Sequence, residues 1–327
     1  MDDKDNYLMP SLQEIMTARK IISRYLPRTP LVYSEAISEL LGFEAYFKLE
    51  NLQPVRSFKV RGGVYYMYRM RDEAVSKGVI TASTGNHAQS IAYAARLFGA
   101  KATIVMPRGV SEIKIKAIER LGANLIFHGK IFEEAREYAE TLASKHDMLY
   151  VHPVNERLLY PGVATMHLEN VEDLPDVDVV INPIGGGSGA IGAVSVYKRL
   201  SEDVRVIGVQ AEGAPSFYLS WKSGRLVSTG KADTIAEGLA TASAYENPLK
   251  ILRGRIDDII LVSDSEMKHA IKMILEYLGQ VAEPAGAAAL AAAMKIRESL
   301  ESKKVILMLT GGNIDIQELK RILDEVM

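Results

Sequence analysis

Ser57-Phe58-Lys59-Val60-Arg61-Gly62-Gly63, preceded by Lys48-Leu49-Glu50-Asn51-Leu52-Gln53-Pro54, sets one lysine between an aromatic residue and a run that ends in two glycines. Ala45 to Glu50 reads as a strand and Val60 to about Ala74 as a helix, so Lys59 falls where a strand hands over to a helix N-terminus. The positive end of the helix dipole disfavours an ammonium there and pushes its pKa down towards the neutral amine. Such an amine can condense with an aldehyde. Most lysines are instead solvated surface charges, and this stretch alone does not separate the two readings.

Outward from it, short apolar strands alternate with helix-length segments. Strands are expected at Val79–Ser83, Ala102–Met106, Asn124–Phe127 and Met148–Val151, separated by helices near Ala88–Phe98, Glu112–Leu121 and Phe132–Lys145. A second series follows at Val177–Asn182, Val204–Val209, Ile259–Val262 and Val305–Leu309, with helices from about Ser188, Asp264, Pro284 and Asp315. Near the start, Leu12, Ile15, Met16, Ile22, Tyr25 and Leu26 form one helical face that Pro27 ends. The alternation predicts an α/β chain with parallel-rich sheets flanked by helices. Ligands in such sheets sit at the strand C-termini, where helix N-termini converge.

Three more stretches fall at such junctions. Ser83-Thr84-Gly85-Asn86-His87 aims backbone N–H groups and hydroxyls where an anion would sit, or else Ser83 or Thr84 simply caps the helix. Gly185-Gly186-Gly187-Ser188-Gly189 lets backbone approach a phosphate at a helix N-terminus. Its continuation Gly187-Ser188-Gly189-Ala190-Ile191-Gly192 also spells G-x-G-x-x-G, with Glu212 about twenty residues on, which is the fingerprint of a dinucleotide site. Thr310-Gly311-Gly312-Asn313 follows the last strand, and Thr310 could be a plain helix N-cap.

In that order, KLENLQPVRSFKVRGG, STGNHAQS, GGGSG and TGGN closely resemble the threonine/serine dehydratase and serine racemase family of fold type II pyridoxal-phosphate enzymes, from about Leu12 to the C-terminus. The resemblance implies a two-lobed, tryptophan synthase β-like architecture. Residues 1–79 and 156–327 would form the large cofactor-binding lobe and residues 80–155 a small lobe carrying the substrate loop. It implies pyridoxal 5'-phosphate held as a Schiff base on Lys59, which then serves as general base. Phe58 would lie beside the ring, Asn86 at its phenolic oxygen, Gly185, Gly186, Gly187, Ser188 and Gly189 at the phosphate, and Thr310 at the pyridine nitrogen. Ser83, Thr84, Gly85, Asn86 and His87 would grip the substrate carboxylate. A hydroxyl at the ring nitrogen leaves the ring a weak electron sink, which suits elimination from a small β-hydroxy amino acid. Ala236-Glu237-Gly238-Leu239 would lie alongside the ring, and Glu283-Pro284-Ala285-Gly286 near the subunit and cation region; His152, Asn155 and Thr165 match cleft positions but read singly as structural.

The chain also departs from the family. Val55-Arg56 replaces T-G, Gly162-Val163-Ala164-Thr165 replaces G-Q-G-T, and Thr84 stands where dehydratases mostly carry alanine and racemases serine. Racemase-like relatives bind a divalent ion through acids that align with Gln210 and Ser216 here, so no metal site is expected, with Glu212 as a nearby substitute. Elimination is expected to dominate, with racemisation through Thr84 as the alternative. The absence of an appended regulatory domain favours a short, catabolic type.

Composition bounds these readings. A chain of 327 residues with 48% hydrophobic and 24% charged residues has room for two lobes. A net charge of −2 argues against nucleic acid or anionic membrane as partners. Zero cysteines exclude disulfides and thiolate metal sites, and six scattered histidines suggest no metal. Met1–Asp5 is acidic and unlike a signal peptide, and the alanine-rich Pro284–Met294 is too short to span a bilayer. A cytoplasmic homodimer or homotetramer is expected. A nicotinamide enzyme, or a binding protein that keeps the fold without chemistry, would leave Lys59 unexplained.

Overall fold

The computed structural model describes residues 8–326, so the Met1–Asp5 stretch lies outside the described residues. In chain order the elements are α1 (Leu12–Ile22), β1 (Leu31–Tyr33), α2 (Glu35–Leu41), β2 (Glu44–Leu49), α3 (Lys59–Arg69), α4 (Arg71–Lys77), β3 (Val79–Ala82), α5 (Asn86–Phe98), β4 (Ala102–Met106), α6 (Glu112–Glu119), β5 (Asn124–Phe127), α7 (Phe132–His146) and β6 (Leu149–Tyr150). There follow α8 (Leu159–Asp173), β7 (Val179–Pro183), α9 (Ser188–Leu200), β8 (Arg205–Ala211), α10 (Ser216–Ser223), α11 (Glu246–Leu252), β9 (Asp258–Val262), α12 (Asp264–Leu278), α13 (Pro284–Lys295), β10 (Lys304–Leu309) and α14 (Ile316–Val326).

The strands form two sheets. One has the order β1-β2-β10-β7-β8-β9, and the other, drawn wholly from residues 79–150, has β5-β4-β3-β6. Every pairing is parallel except β1 with β2, where Leu31 lies opposite Lys48. The last strand, β10, inserts between β2 and β7, so both ends of the chain build one sheet. Parallel strands point their C-termini the same way. Ser83, Ile184 and Thr310 therefore each leave a strand on the side where ligands bind in this class of sheet.

Several sequence expectations are corrected. The first helix stops at Ile22, capped by Ser23, well before Pro27, and Met16 is 64% exposed rather than part of the buried face. β1 carries too few residues for a periodic signal, so it was not expected. The strand before Lys59 ends at Leu49, and a 3₁₀ turn and a loop separate it from α3. The helix expected over Val60–Ala74 breaks at Met70 into α3 and α4. The alanine-rich segment is a buried helix: Pro284 through Ala293 all lie in the core, where small side chains let α13 pack closely beneath β7, β8 and β10. No helix among the described residues is long and apolar enough to cross a membrane.

Close approach also explains glycines in the lysine motif. A Cβ on Gly63 would stand 2.3 Å from Ser90 Oγ and 2.9 Å from Ser90 O, so α3 touches α5 backbone to backbone. On its other side, a Cβ on Gly162 of α8 would stand 2.5 Å from Arg61 O.

Between α3, α8 and β2 lies a fully buried ionic cluster. Arg61 Nε and Nη2 donate to Glu50 Oε2 and Oε1 at 2.8 Å each, and Nη1 and Nη2 donate to Glu169 Oε1 and Oε2 at 2.9 and 2.8 Å. Lys48 Nζ donates to Glu169 Oε2 at 2.8 Å and to Thr29 O at 2.7 Å. Burial alone would lower the pKa of the guanidinium, but Glu50 and Glu169 overrule it and raise it. Burial likewise works against the Glu169 carboxylate, and Arg61 and Lys48 pull its pKa below the ordinary range. Two cations against two anions leave the set neutral, which is what makes burial tolerable. Arg61→Ala leaves the buried Glu50 without a cation and Glu169 with Lys48 in place of two partners, and is expected to cost about 3–5 kcal/mol of stability, read from the denaturant midpoint. Arg61→Lys should recover only part of it, because an ammonium cannot fork to both carboxylates.

Candidate active site

Lys59 is the first residue of α3, and no side chain caps that helix. Its Nζ donates to Ser188 Oγ at 3.0 Å and stands 5.2 Å from the centroid of the Phe58 ring. The lysine side chain therefore reaches the first residue of α9. Burial pushes the amine down to about 8. The direction matches the sequence expectation, and burial is its cause. Behind it, the Lys59 carbonyl accepts from Ser90 Oγ at 2.7 Å, which locks the lysine's backbone to α5.

The loop before Lys59 is held to the end of β10. Phe58 N donates to Thr310 O at 3.1 Å, Gly312 N to Arg56 O at 3.0 Å, and Asn313 Nδ2 to Val55 O at 2.8 Å. Arg56 pays for this docking with a left-handed φ of +55°, a conformation that glycine adopts freely. Thr310 is not a helix N-cap, since the next helix starts only at Ile316. Its hydroxyl is buried, and the nearest acceptor, Ala285 O, is 3.5 Å away.

The turn 83–87 leaves β3 and opens α5. Gly85 is its N-cap residue, and no side chain caps the helix, so neither Ser83 nor Thr84 takes the capping role. Ser83 Oγ accepts from Gly85 N at 3.2 Å instead. His87 is buried with Nε2 3.2 Å from Val151 O, and burial, followed by the nearby Lys59, pushes the ring down to about 3. It stays neutral and anchors the turn to the end of β6. Asn86 faces the other way: its Nδ2 donates to Glu283 Oε1 at 2.7 Å, and its Oδ1 accepts from Asn313 Nδ2 at 2.7 Å.

The glycine loop opens α9, also without a side-chain cap, and turns on Gly187 at φ +98°. Here the surroundings dictate glycine. A Cβ on Gly185 would stand 2.0 Å from Gly238 O, and one on Gly186 would stand 2.3 Å from Val154 Cγ2. The Ala236–Leu239 stretch thus packs against this loop. The nearby Gly192 serves helix packing, its would-be Cβ 3.0 Å from Ala164 Cα.

A dry amine with its pKa lowered to about 8, two uncapped helix N-termini with their free N–H groups, and a buried hydroxyl rather than a carboxylate at the end of β10 together fit an aldehyde-bearing, phosphate-bearing pyridine. The other expected residues sort differently. His152 Nδ1 accepts from Val154 N and Asn155 N at 2.9 and 2.8 Å, which fixes the turn that seats Gly186, and Asn155 itself is exposed. Thr165 belongs to the Arg61 cluster. Gln210 Oε1 accepts from Tyr218 N at 2.7 Å and Ser216 Oγ donates to Thr241 O at 2.7 Å, while Glu212 pairs with Lys295 at 3.0 Å. Among the described residues no three acidic or histidine side chains cluster as metal ligands. The Glu283 carboxylate accepts from Asn86 Nδ2 at 2.7 Å, a contact that the sequence did not suggest. Asn313 was quoted within TGGN without a role, and it bonds both Val55 and Asn86. Only the folded chain brings these three segments together, so spacing gave no signal for either residue.

Gly185→Ala must displace the loop or Gly238, at about 1–3 kcal/mol. Titration with pyridoxal phosphate should show binding about 10–100-fold weaker than in the wild type.

Comparison with known proteins agrees with this geometry. A family described as "Pyridoxal-phosphate dependent enzyme" matches residues 22–311. L-threonine ammonia-lyase from Thermotoga maritima is 40% identical over 318 residues, covering 97% of this chain and 79% of its own. Serine racemase from Dictyostelium discoideum is 33% identical, covering 96% and 98%. The solved structure of the processed form of threonine deaminase isoform 2 from Solanum lycopersicum superposes with a TM-score of 0.92 at 31% identity, covering 99% and 94%. This match overturns the dinucleotide reading of Gly187–Gly192. The chain belongs to the pyridoxal-phosphate dependent enzyme family, among the fold type II threonine ammonia-lyases and serine racemases.

Proposed function

We propose that the chain is a pyridoxal-phosphate-dependent ammonia-lyase that converts threonine or serine to a 2-keto acid and ammonia. The observation that carries this reading is the dry Lys59 amine, 3.0 Å from Ser188 at the mouth of the glycine loop. The threonine ammonia-lyase relatives support the substrate class. When bound, the cofactor supplies an aldehyde for the lysine and a ring that acidifies the substrate's α-proton.

The chain's own residues supply the rest. Gly185–Gly189 and the N-terminus of α9 hold the phosphate, with Ser188 Oγ as an added donor. The uncapped N-terminus of α5, with Ser83, Thr84 and Gly85, takes the substrate carboxylate. Asn86 and Thr310 present a donor amide and a hydroxyl to the ring. Lys59 Nζ, neutral above pH of about 8, accepts the α-proton as the β-hydroxyl departs. Residues 80–155 act as a small lobe over this cleft, and the enzyme works in the cytoplasm as a homo-oligomer.

Racemisation remains the second reading for a specific reason. Thr84 does not cap α5, so its hydroxyl is not engaged at that helix end. Its branched side chain restricts the rotamer, however, and no side-chain hydrogen bond activates it among the described residues. Elimination therefore dominates.

Borohydride reduction of the yellow holoenzyme should fix the cofactor on Lys59, and Lys59→Ala should lose both the label and turnover by about 10³-fold or more. A colourless wild-type protein would overturn the proposal. With Lys59 as base, activity should climb through a limb near pH 8, below the ordinary lysine range. Chiral analysis of serine recovered at partial turnover should find D-serine as a minor product. D-serine equal to the keto acid, and lost selectively in Thr84→Ala, would make the chain a racemase.

A further inference from the structure

Glu283 is a carboxylate with no place in the mechanism above, buried to 8% exposure at the edge of the cleft. It is the N-cap residue of α13, but its side chain does not cap that helix. It reaches across instead: Oε1 accepts from Asn86 Nδ2 at 2.7 Å, and a Cβ on Gly311 would stand 2.5 Å from that oxygen. Its backbone is fixed independently, with N donating to Gly311 O at 3.1 Å and Pro284 following.

The partners of Asn86 leave its amide one orientation. Asn313 Nδ2 donates both to Val55 O at 2.8 Å and to Asn86 Oδ1 at 2.7 Å, so a donor faces the amide oxygen. An ionised Glu283 can only accept, so the amide nitrogen must face it. Reversing Asn86 would set donor against donor at one end and oxygen against oxygen at the other. One Nδ2 hydrogen is left for a ligand.

We infer that Glu283 is a positioning residue, which through the relay Glu283–Asn86–Asn313–Val55 fixes the donor that Asn86 presents to the cofactor and ties the first turn of α5 to the end of β10. The inference rests on the reading that Asn86 faces the cofactor. The relay is proton-linked. Burial raises the Glu283 carboxyl to about 7, against the Asn86 amide and the Asn313 backbone N–H, which hold it down; of the charged groups nearby, Glu237 pushes it up and Lys114, paired with Glu237, pulls it down. Below about 7 the protonated carboxyl becomes a donor as well, and the Glu283 half of the constraint on the Asn86 orientation is lost, which leaves Asn313 alone to hold it.

The test compares the visible absorption of the bound cofactor in wild type, Glu283→Gln, Glu283→Ala and Asn86→Ala between pH 6 and 8. Wild type should show a spectral transition near pH 7 that Glu283→Gln, which keeps the shape but cannot ionise, lacks. Glu283→Asp should restore a transition at a displaced pH. Glu283→Ala should lower kcat about tenfold with a smaller change in KM. A transition unchanged in Glu283→Gln and Glu283→Ala, or missing from wild type while Asn86→Ala alters the band, overturns the inference. Hydrogen exchange on the cofactor-free chain separates it from the underlying reading. Residues 84–89 should exchange about tenfold faster in Glu283→Ala, and unchanged exchange there overturns the tie whatever the spectrum does. If Asn86→Ala leaves the band untouched while exchange still rises, the tie to α5 stands and the placement of Asn86 at the cofactor is what fails.

Discussion

The fork of Arg61 onto two buried carboxylates is the constraint that the rest of the molecule answers to. Arg61 lies two residues after Lys59 on the same helix, so whatever holds the guanidinium holds the lysine. Glu50 arrives from the end of β2, Glu169 from α8, and Lys48 from β2. Three elements from distant parts of the chain are thus joined by bonds whose geometry a guanidinium enforces and an apolar contact would not. An ion cluster in a dry interior is a poor source of net stability. Its value here is placement: α3 cannot slide on α8 without leaving a charge unpaired.

Around that clamp, the site depends on keeping charge away from the lysine. Among the described residues no carboxylate bonds to Lys59; its Nζ partner is a hydroxyl, and its pKa falls because water is missing rather than because a cation is close. The neighbouring His87 is kept neutral by the same burial. Helix N-termini supply positive potential without ionisable groups, through N–H donors that no side chain caps at α5 and α9. A site so built favours an anionic guest while bringing its lysine within reach of the neutral form, at about 8.

Much of this was legible in the sequence, and the limits have physical causes. The strand-to-helix junctions at Ser83, Gly185 and Thr310 could be read because parallel strands are short, apolar and separated by periodic helices. The lysine could be singled out because glycines and an aromatic residue flank it. Arg61 sat in the same quoted stretch, yet its role was invisible, since a charged residue in a helix gives no local sign of burial and its partners lie eleven and 108 residues away. Glu283 and Asn313 were hidden for the same reason. Helix ends were misjudged where tertiary packing, not sequence punctuation, decided them: α1 stopped short of Pro27, and α3 broke at Met70.

The contact between Gly63 and Ser90 has a mechanical meaning. α5 carries the 83–87 turn at its N-terminus and, through Ser90, grips the carbonyl of the lysine itself. α5 also packs on β3 and β4, so the four-stranded sheet is joined to the lysine's own helix right beside Lys59. The exposed Lys114–Glu237 pair, one partner on α6 and the other beside the glycine loop, adds a second tie between the two sheets' surroundings. The amine is thus fixed to both sheets at once, by a backbone contact on one side of the cleft and an ion pair on the other.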